Sequence, residues 1–280
     1  MLRLLTIEFH KLRYNKAAKI LTITYFVLLT AISLIASYEF NFGGVHIRLA
    51  DQGIFNFPYI WHFNAWFAAW LKLFLAIVIV AIMANEYTNR TLKQNLIDGL
   101  SKKEFLASKF LTVVIFSLLS TVFLFIVSLI LGLIFSDFNE FSIITTDLEY
   151  IFAYFIKLVG FFSFCMFLGI LIKRSAFALG FLIFWQIIEG VFKLISSLFK
   201  WKFDTDILDK IVIQFLPLES MSNLIKEPFT RLSIVQSTMN QFNESSEVNS
   251  GVHWYEILIV LIWTGIFLSL SYYLLKKRDL

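Results

Sequence analysis

The chain has 280 residues, 59% of them hydrophobic and 33 of them Phe, with only 16% charged. That usage lies far from a soluble globular average and points to a helical membrane protein. The single Cys165 excludes an intrachain disulfide and a thiolate zinc site, and the formal charge of +4 comes from basic residues that flank apolar runs, which records topology rather than nucleic-acid binding.

Residues 1–16 read as an amphipathic surface helix and not as a cleaved signal, because no small-residue cleavage site follows. Leu2, Leu5, Phe9 and Leu12 recur at helical spacing, and Arg3, Lys11, Arg13 and Lys16 supply cations for lipid headgroups or a neighbour. Six apolar runs follow, at 17–38, 63–84, 110–135, 149–172, 176–199 and 254–275. Each has the roughly 20 residues that a helix needs to cross a hydrocarbon core of about 30 Å. They are apolar all round, which excludes the alternation of a β-barrel. The expected fold is therefore a single all-α integral membrane domain of six transmembrane helices.

Lys and Arg crowd the segments on one side, from Arg3 to Lys19, Arg90 to Lys109, Lys173–Arg174 and Lys276–Arg278. The opposite side holds Arg48 and five cations in one long loop, so both termini are expected to be cytoplasmic. Trp61, Trp66, Trp201 and Trp254 are expected as an outer aromatic belt. In the long outer loop 200–253, the apolar positions Ile207, Leu208, Ile211, Val212, Phe215 and Leu216 suggest a helix ended by Pro217 on or in the outer leaflet. The polar tail 241–251 is expected to be mobile.

The stretch 85–109 is a polar, basic interruption between two spans. Leu92, Leu96 and Ile97 share one side of a helix over Thr91 to Asp98, and Gly99 ends it. Ser101 with Glu104 three residues on is a capping-box pattern, from which a second helix runs through Phe105 and Lys109 into the third span. Such a hairpin suits docking into a groove on a moving partner.

At these residues the chain resembles the permease subunits of type-2 ABC exporters. The resemblance rests on an N-terminal amphipathic helix with Glu8, Lys11 and Arg13, on six spans, and on a loop carrying Glu86, Thr91, the break Gly99-Leu100-Ser101, Lys102 and Lys109. Arg90 and Leu100 stand where the family often has Gly and Pro. The resemblance implies a non-catalytic permease in a bacterial plasma membrane, pairing with a second permease subunit and two cytoplasmic ATPase subunits. The loop would then be a coupling helix, with Glu86, Thr91, Leu92, Leu96, Ser101, Lys102, Glu104, Phe105 and Lys109 as its working residues. The chain holds no GxxxxGK[ST] loop, so ATP and Mg would be used by the partner, and no cofactor is expected on this chain.

Inside the spans, Lys72, Lys157, Glu189 and Lys193 are costly unless paired, hydrated or snorkelling. Glu189 and Lys193 are spaced for an i,i+4 pair with the acid first. Lys72 and Lys157, with Gln186, could instead line a cationic substrate path for an anionic headgroup or peptide carboxylate. Ser128, Ser163 and Ser196 are expected to close contacts between helices, and Gly160, Gly169 and Gly180 to permit close approach.

The expected function is export of an amphipathic peptide, lipid or drug-like substrate with energy from separate ATPases. An ion-coupled secondary transporter using Lys72, Lys157 and Glu189 stays open, as does an integral-membrane lipid-modifying enzyme. No reactive cluster favours the enzyme.

Overall fold

The computed structural model describes residues 2–37, 39–42, 45–48, 53–203, 205, 207–231 and 251–277. The polar tail expected at 241–251 lies outside them, apart from Gly251.

Helix α1 (Leu2–Tyr14) is followed by α2 (Lys16–Ser37), a hairpin of β1 (Glu39–Phe42) and β2 (Val45–Arg48), α3 (Tyr59–Thr88), α4 (Thr91–Ile97) and α5 (Lys102–Phe135). Next come α6 (Phe141–Ile144), α7 (Glu149–Ile172), α8 (Ser175–Phe203), α9 (Ile207–Ile211), α10 (Pro217–Asn223) and α11 (Trp254–Lys277). The antiparallel hairpin, in register Glu39 to Arg48, departs from the expected all-α fold within an inter-span loop.

Six helices, α2, α3, α5, α7, α8 and α11, are long and apolar enough to cross a membrane. The 34 residues of α5 give about 51 Å of helix, so it must project beyond a hydrocarbon core of about 30 Å. Such overhangs let α3 and α5 carry polar groups past the apolar runs.

The bundle is built around α7, which packs against α3, α5, α8 and α11. Within lipid, apolar burial gives little drive for helix association, so close van der Waals fit and polar contacts must supply it. Gly169 provides the fit: a Cβ there would lie 2.6 Å from Met83 Cβ on α3. Gly160 meets Val260 of α11 in the same way, at 2.7 Å. Gly180 does not, because nothing lies within 4 Å of the position its Cβ would take.

Polar contacts lock the same core. Tyr25 of α2 shares hydrogen bonds with Ser120 of α5 and, at 2.6 Å, with Tyr154 of α7. Asn64 of α3 donates to Ser128 of α5 at 2.9 Å. Ser163 instead turns back on its own helix, donating to the Val159 carbonyl.

Helices α1 and α4 and the C-terminal turn of α11 share one end of the bundle, called here the terminal end. There α1 packs on α5, and Lys102 Nζ donates to the Lys276 carbonyl at 3.4 Å. At the distal end, Trp61 is not part of an interfacial belt. It is fully buried, stacks on Phe125 at 5.2 Å and donates from Nε1 to the Ile144 carbonyl. Trp201 and Trp254 remain exposed.

The segment after α8 folds back onto the bundle. Pro217 begins a helix rather than ending one: it occupies the first turn of α10, where its missing N–H costs nothing. Before it, α9 is a short turn and a 3-10 turn follows at Ile213–Phe215, with Ile213 the buried residue and Ile207, Ile211 and Phe215 exposed.

Candidate functional site

Two polar clusters stand out in a molecule that is otherwise apolar. The first is at the terminal end, where α3 stops at Thr88 and the chain turns at Arg90, whose φ of 56° is left-handed, to start α4. Gly99, at φ 94°, closes α4, and the Leu100 N–H returns to the Asn95 carbonyl. Ser101 then caps α5: its Oγ accepts from the Glu104 N–H at 3.2 Å, and the Glu104 carboxylate accepts from the Ser101 N–H at 3.0 Å. This reciprocal pair is the capping box that the sequence pattern indicates.

The turn brings Glu86, Thr91 and Lys109 together and adds Glu8 and Lys11 from α1. Lys109 donates to Glu86 Oε1 at 2.5 Å and to Glu8 Oε2 at 2.6 Å, and all three side chains are buried. Lys11 donates to the same Glu86 oxygen at 2.8 Å, and Thr91 Oγ1 donates to Glu86 Oε2 at 2.5 Å. The Lys109 ammonium also lies 5.3 Å from the Phe105 ring centroid.

Two carboxylates and two ammonium groups thus balance at the junction of three helices. Burial pulls the Lys11 pKa down, but hydrogen bonding and attraction from Glu86 and Glu8 outweigh it and leave the pKa raised. A cavity of about 320 Å³ lies beside the cluster, lined by Glu8, Lys11, Asn15, Asn85, Glu86 and Thr91 among others. On α1 the packed face centres on Glu8 and not on Phe9, which is 37% exposed. Beyond the cluster, Leu92 is buried and Leu96 partly so, whereas Ile97 points away from the protein and is 75% exposed.

The second cluster is at the distal end, around α10. Glu189 of α8 does not pair with Lys193. It accepts the Glu219 N–H at 2.8 Å, the Leu218 N–H at 3.2 Å and Trp185 Nε1 at 2.5 Å. Free backbone N–H groups at a helix start draw a carboxylate more strongly than one exposed ammonium does. Lys193 instead pairs with Glu219.

Lys157, 4% exposed, reaches the Ser222 carbonyl at 3.4 Å, and the Lys72 ammonium lies 4.5 Å from the Phe161 ring centroid. Gln186 is not brought to them; it is exposed on the outer side of α8. Ser196 donates to Asp209 at 2.6 Å, tying α9 to α8. His62 hydrogen-bonds the Lys226 carbonyl at 2.9 Å and stacks on Tyr150, and Arg231 donates to Asp147 at 2.8 Å.

Residues 29–280 match the protein family described as DUF2705, a protein of unknown function. The chain belongs to that family. A curated relative, the uncharacterized protein YhcI of Bacillus subtilis (strain 168), is 40% identical over 86 residues, which is 31% of this chain and 27% of that protein. The chain therefore matches about a quarter of that relative's length.

In this DUF2705 chain, sequence reasoning identified Glu86, Thr91 and Lys109 but placed Glu8 only as part of an amphipathic helix. The available signal was Glu8 and Lys11 at i,i+3, a spacing that puts both on one helix face. The hydroxyl cluster of Tyr25, Ser120 and Tyr154 was missed, since three separated polar residues in apolar runs carry no local pattern.

Proposed function

We propose that this DUF2705 protein is the membrane-spanning, non-catalytic subunit of a type-2 ABC exporter. It works in a bacterial plasma membrane with both termini cytoplasmic. Two ATPase subunits, which hold ATP and Mg, and a second permease subunit complete the assembly. The observation that carries this reading is the ion-pair cluster of Glu8, Lys11, Glu86 and Lys109, with Thr91 on Glu86.

The cluster joins α1, the α3–α4 turn and α5 at one point. A displacement of α4 is then transmitted to two spans at once, because moving any one of the three helices alone would separate buried opposite charges. Short α4 suits the role of the pushed element. It is anchored by buried Leu92 and presents Ile97, Lys93 and Gln94 outward, an apolar tip among polar groups.

Copurification with an ATPase subunit, with and without Ile97→Glu, tests this directly. Ile97 is 75% exposed, so the variant should keep the thermal stability of the parent while losing the ATPase and its stimulated hydrolysis. An intact, fully active complex would reject the docking role of α4. A secondary transporter is separated by its energy source: transport would then survive a block of ATP hydrolysis and fail with an ionophore.

A further inference from the structure

Of the six long helices, α8 is the one whose apolar stretch the rest of the chain covers least, and its buried residues are Ala178, Leu182, Glu189 and Ser196. Its open side is mostly apolar, as contact with lipid requires, but Gln186 interrupts it. Gln186 lies three residues from the middle of the 29-residue helix, and closer still to the middle of the apolar run 176–199. At 1.5 Å per residue that is at most about 4–5 Å, too deep within a core of about 30 Å for its side chain to reach the headgroups. Among the described residues, no hydrogen bond reaches the Gln186 amide. An amide has two N–H donors and a carbonyl acceptor, and lipid tails satisfy none of them, so the position is costly until a protein group covers it.

The same side of α8 indicates what that group is. Ile183, Ile187, Gly190, Leu194 and Ser197 are all exposed, at alternate steps of four and three residues. That is the mean period of about 3.5 kept by two helices that wind around each other. Gln186 flanks this seam, and at Gly190, one turn on, nothing lies within 4 Å of the place a Cβ would take, so a neighbouring helix can come close. A second copy of the chain crosses the membrane in the same direction, and a twofold axis along the membrane normal sets its Gln186 at the same depth. Each amide can then donate to the carbonyl of the other. A different partner would need a polar group of its own at that level, whereas a second copy supplies one by symmetry. Lys193, further along, is neutralised by Glu219 of its own chain, so the pairing sets no bare charge against another.

We propose that α8 is the self-association face of this protein: two copies pair along the seam from Ile183 to Ser197, and their Gln186 amides hydrogen-bond to each other near the middle of the bilayer. The pairing deepens the exporter reading, on which it rests, by naming the second permease subunit as another copy of this chain.

The test uses the purified full chain in liposomes, with single cysteines oxidised by copper–phenanthroline and dimers read on a non-reducing gel. Cys165 is fully buried, so the parent chain is the silent control. Gly190→Cys and Ser197→Cys should cross-link, whereas Phe184→Cys and Ile195→Cys, equally open to lipid but on another side of α8, should not. In the Gly190→Cys chain, Gln186→Leu should raise the protein-to-lipid ratio needed for half-maximal cross-linking by about tenfold, the factor for one hydrogen bond between helices, and Gln186→Asn should restore most of it.

Gln186 is exposed, so these variants should keep the unfolding temperature of the parent. No dimer from Gly190→Cys and Ser197→Cys, or equal yields from all four positions, would overturn the seam. An unchanged half-maximal ratio with Gln186→Leu would overturn the amide pair. No ATPase enters this measurement, so its failure is separate from failure of Ile97→Glu to release an ATPase.

Discussion

Lys109 donates to Glu86 across 2.5 Å although the two are 23 residues apart, on helices that run in opposite directions. Between them lie a full turn of the chain at Arg90, helix α4 and the Ser101 cap. Removing the ammonium with Lys109→Met would leave Glu8 and Glu86 with part-exposed Lys11 as their cation among the described residues, and Glu86 with the Thr91 hydroxyl. Breaking a buried pair by deleting one partner costs about 3–5 kcal/mol. Equilibrium unfolding in mixed micelles should show a loss of that size; a change under about 1 kcal/mol would mean that water reaches the carboxylates.

Ser101→Ala should cost about 1 kcal/mol, the usual value of an N-cap side chain. The loss is local: the Glu104 amide should exchange faster, while amides in the middle of α5 keep their protection. Amide exchange resolved at residues 101–106 checks it.

Gly169→Val and Gly180→Ala should differ in sign. At Gly169 even a Cβ collides with Met83, so the branched side chain must separate α7 from α3, an overpacking cost of about 1–3 kcal/mol. At Gly180 the space is open, so Ala should be neutral or stabilise α8 by up to about 1 kcal/mol through helix propensity. Paired unfolding curves decide the matter.

Glu189→Ala should loosen α10 from α8, because two backbone N–H groups lose a charged acceptor, at a cost of about 2 kcal/mol. Lys193→Met removes only the largely exposed ion pair with Glu219, worth under about 1 kcal/mol, and should leave α10 seated on Glu189. Exchange at the Leu218 and Glu219 amides distinguishes them: it should accelerate in the first variant and hold in the second.

What the sequence made legible follows from how local each determinant is. Spans are fixed by about 20 consecutive residues, so the apolar runs and the six long helices coincide in position, with α3 and α5 extending further at the terminal end. The Ser101 cap is a four-residue pattern and was readable as such. Glu189 and Lys193 also carry a local pattern, but the backbone amides of α10, some 29 residues away, outcompete it.

Pro217 was ambiguous for a similar reason, because the same missing N–H that stops one helix suits the first turn of the next. Trp61 looked interfacial from its place near the end of an apolar run. Its burial depends on α6, which supplies a carbonyl from 83 residues further on. The inward turn of Glu8 likewise depends on a cation that only the folded chain brings to it.

The bond between Lys109 and Glu8 spans 101 residues. At about 5–20 residues per second, the ribosome needs roughly 5–20 s to deliver the second partner after the first. During that interval the carboxylate of Glu8 lacks the Lys109 ammonium, so α1 reaches its final packing on α5 only once α5 has been made. Helix α1 is therefore made before α5 but locked after it, and its docking reports that α5 has arrived.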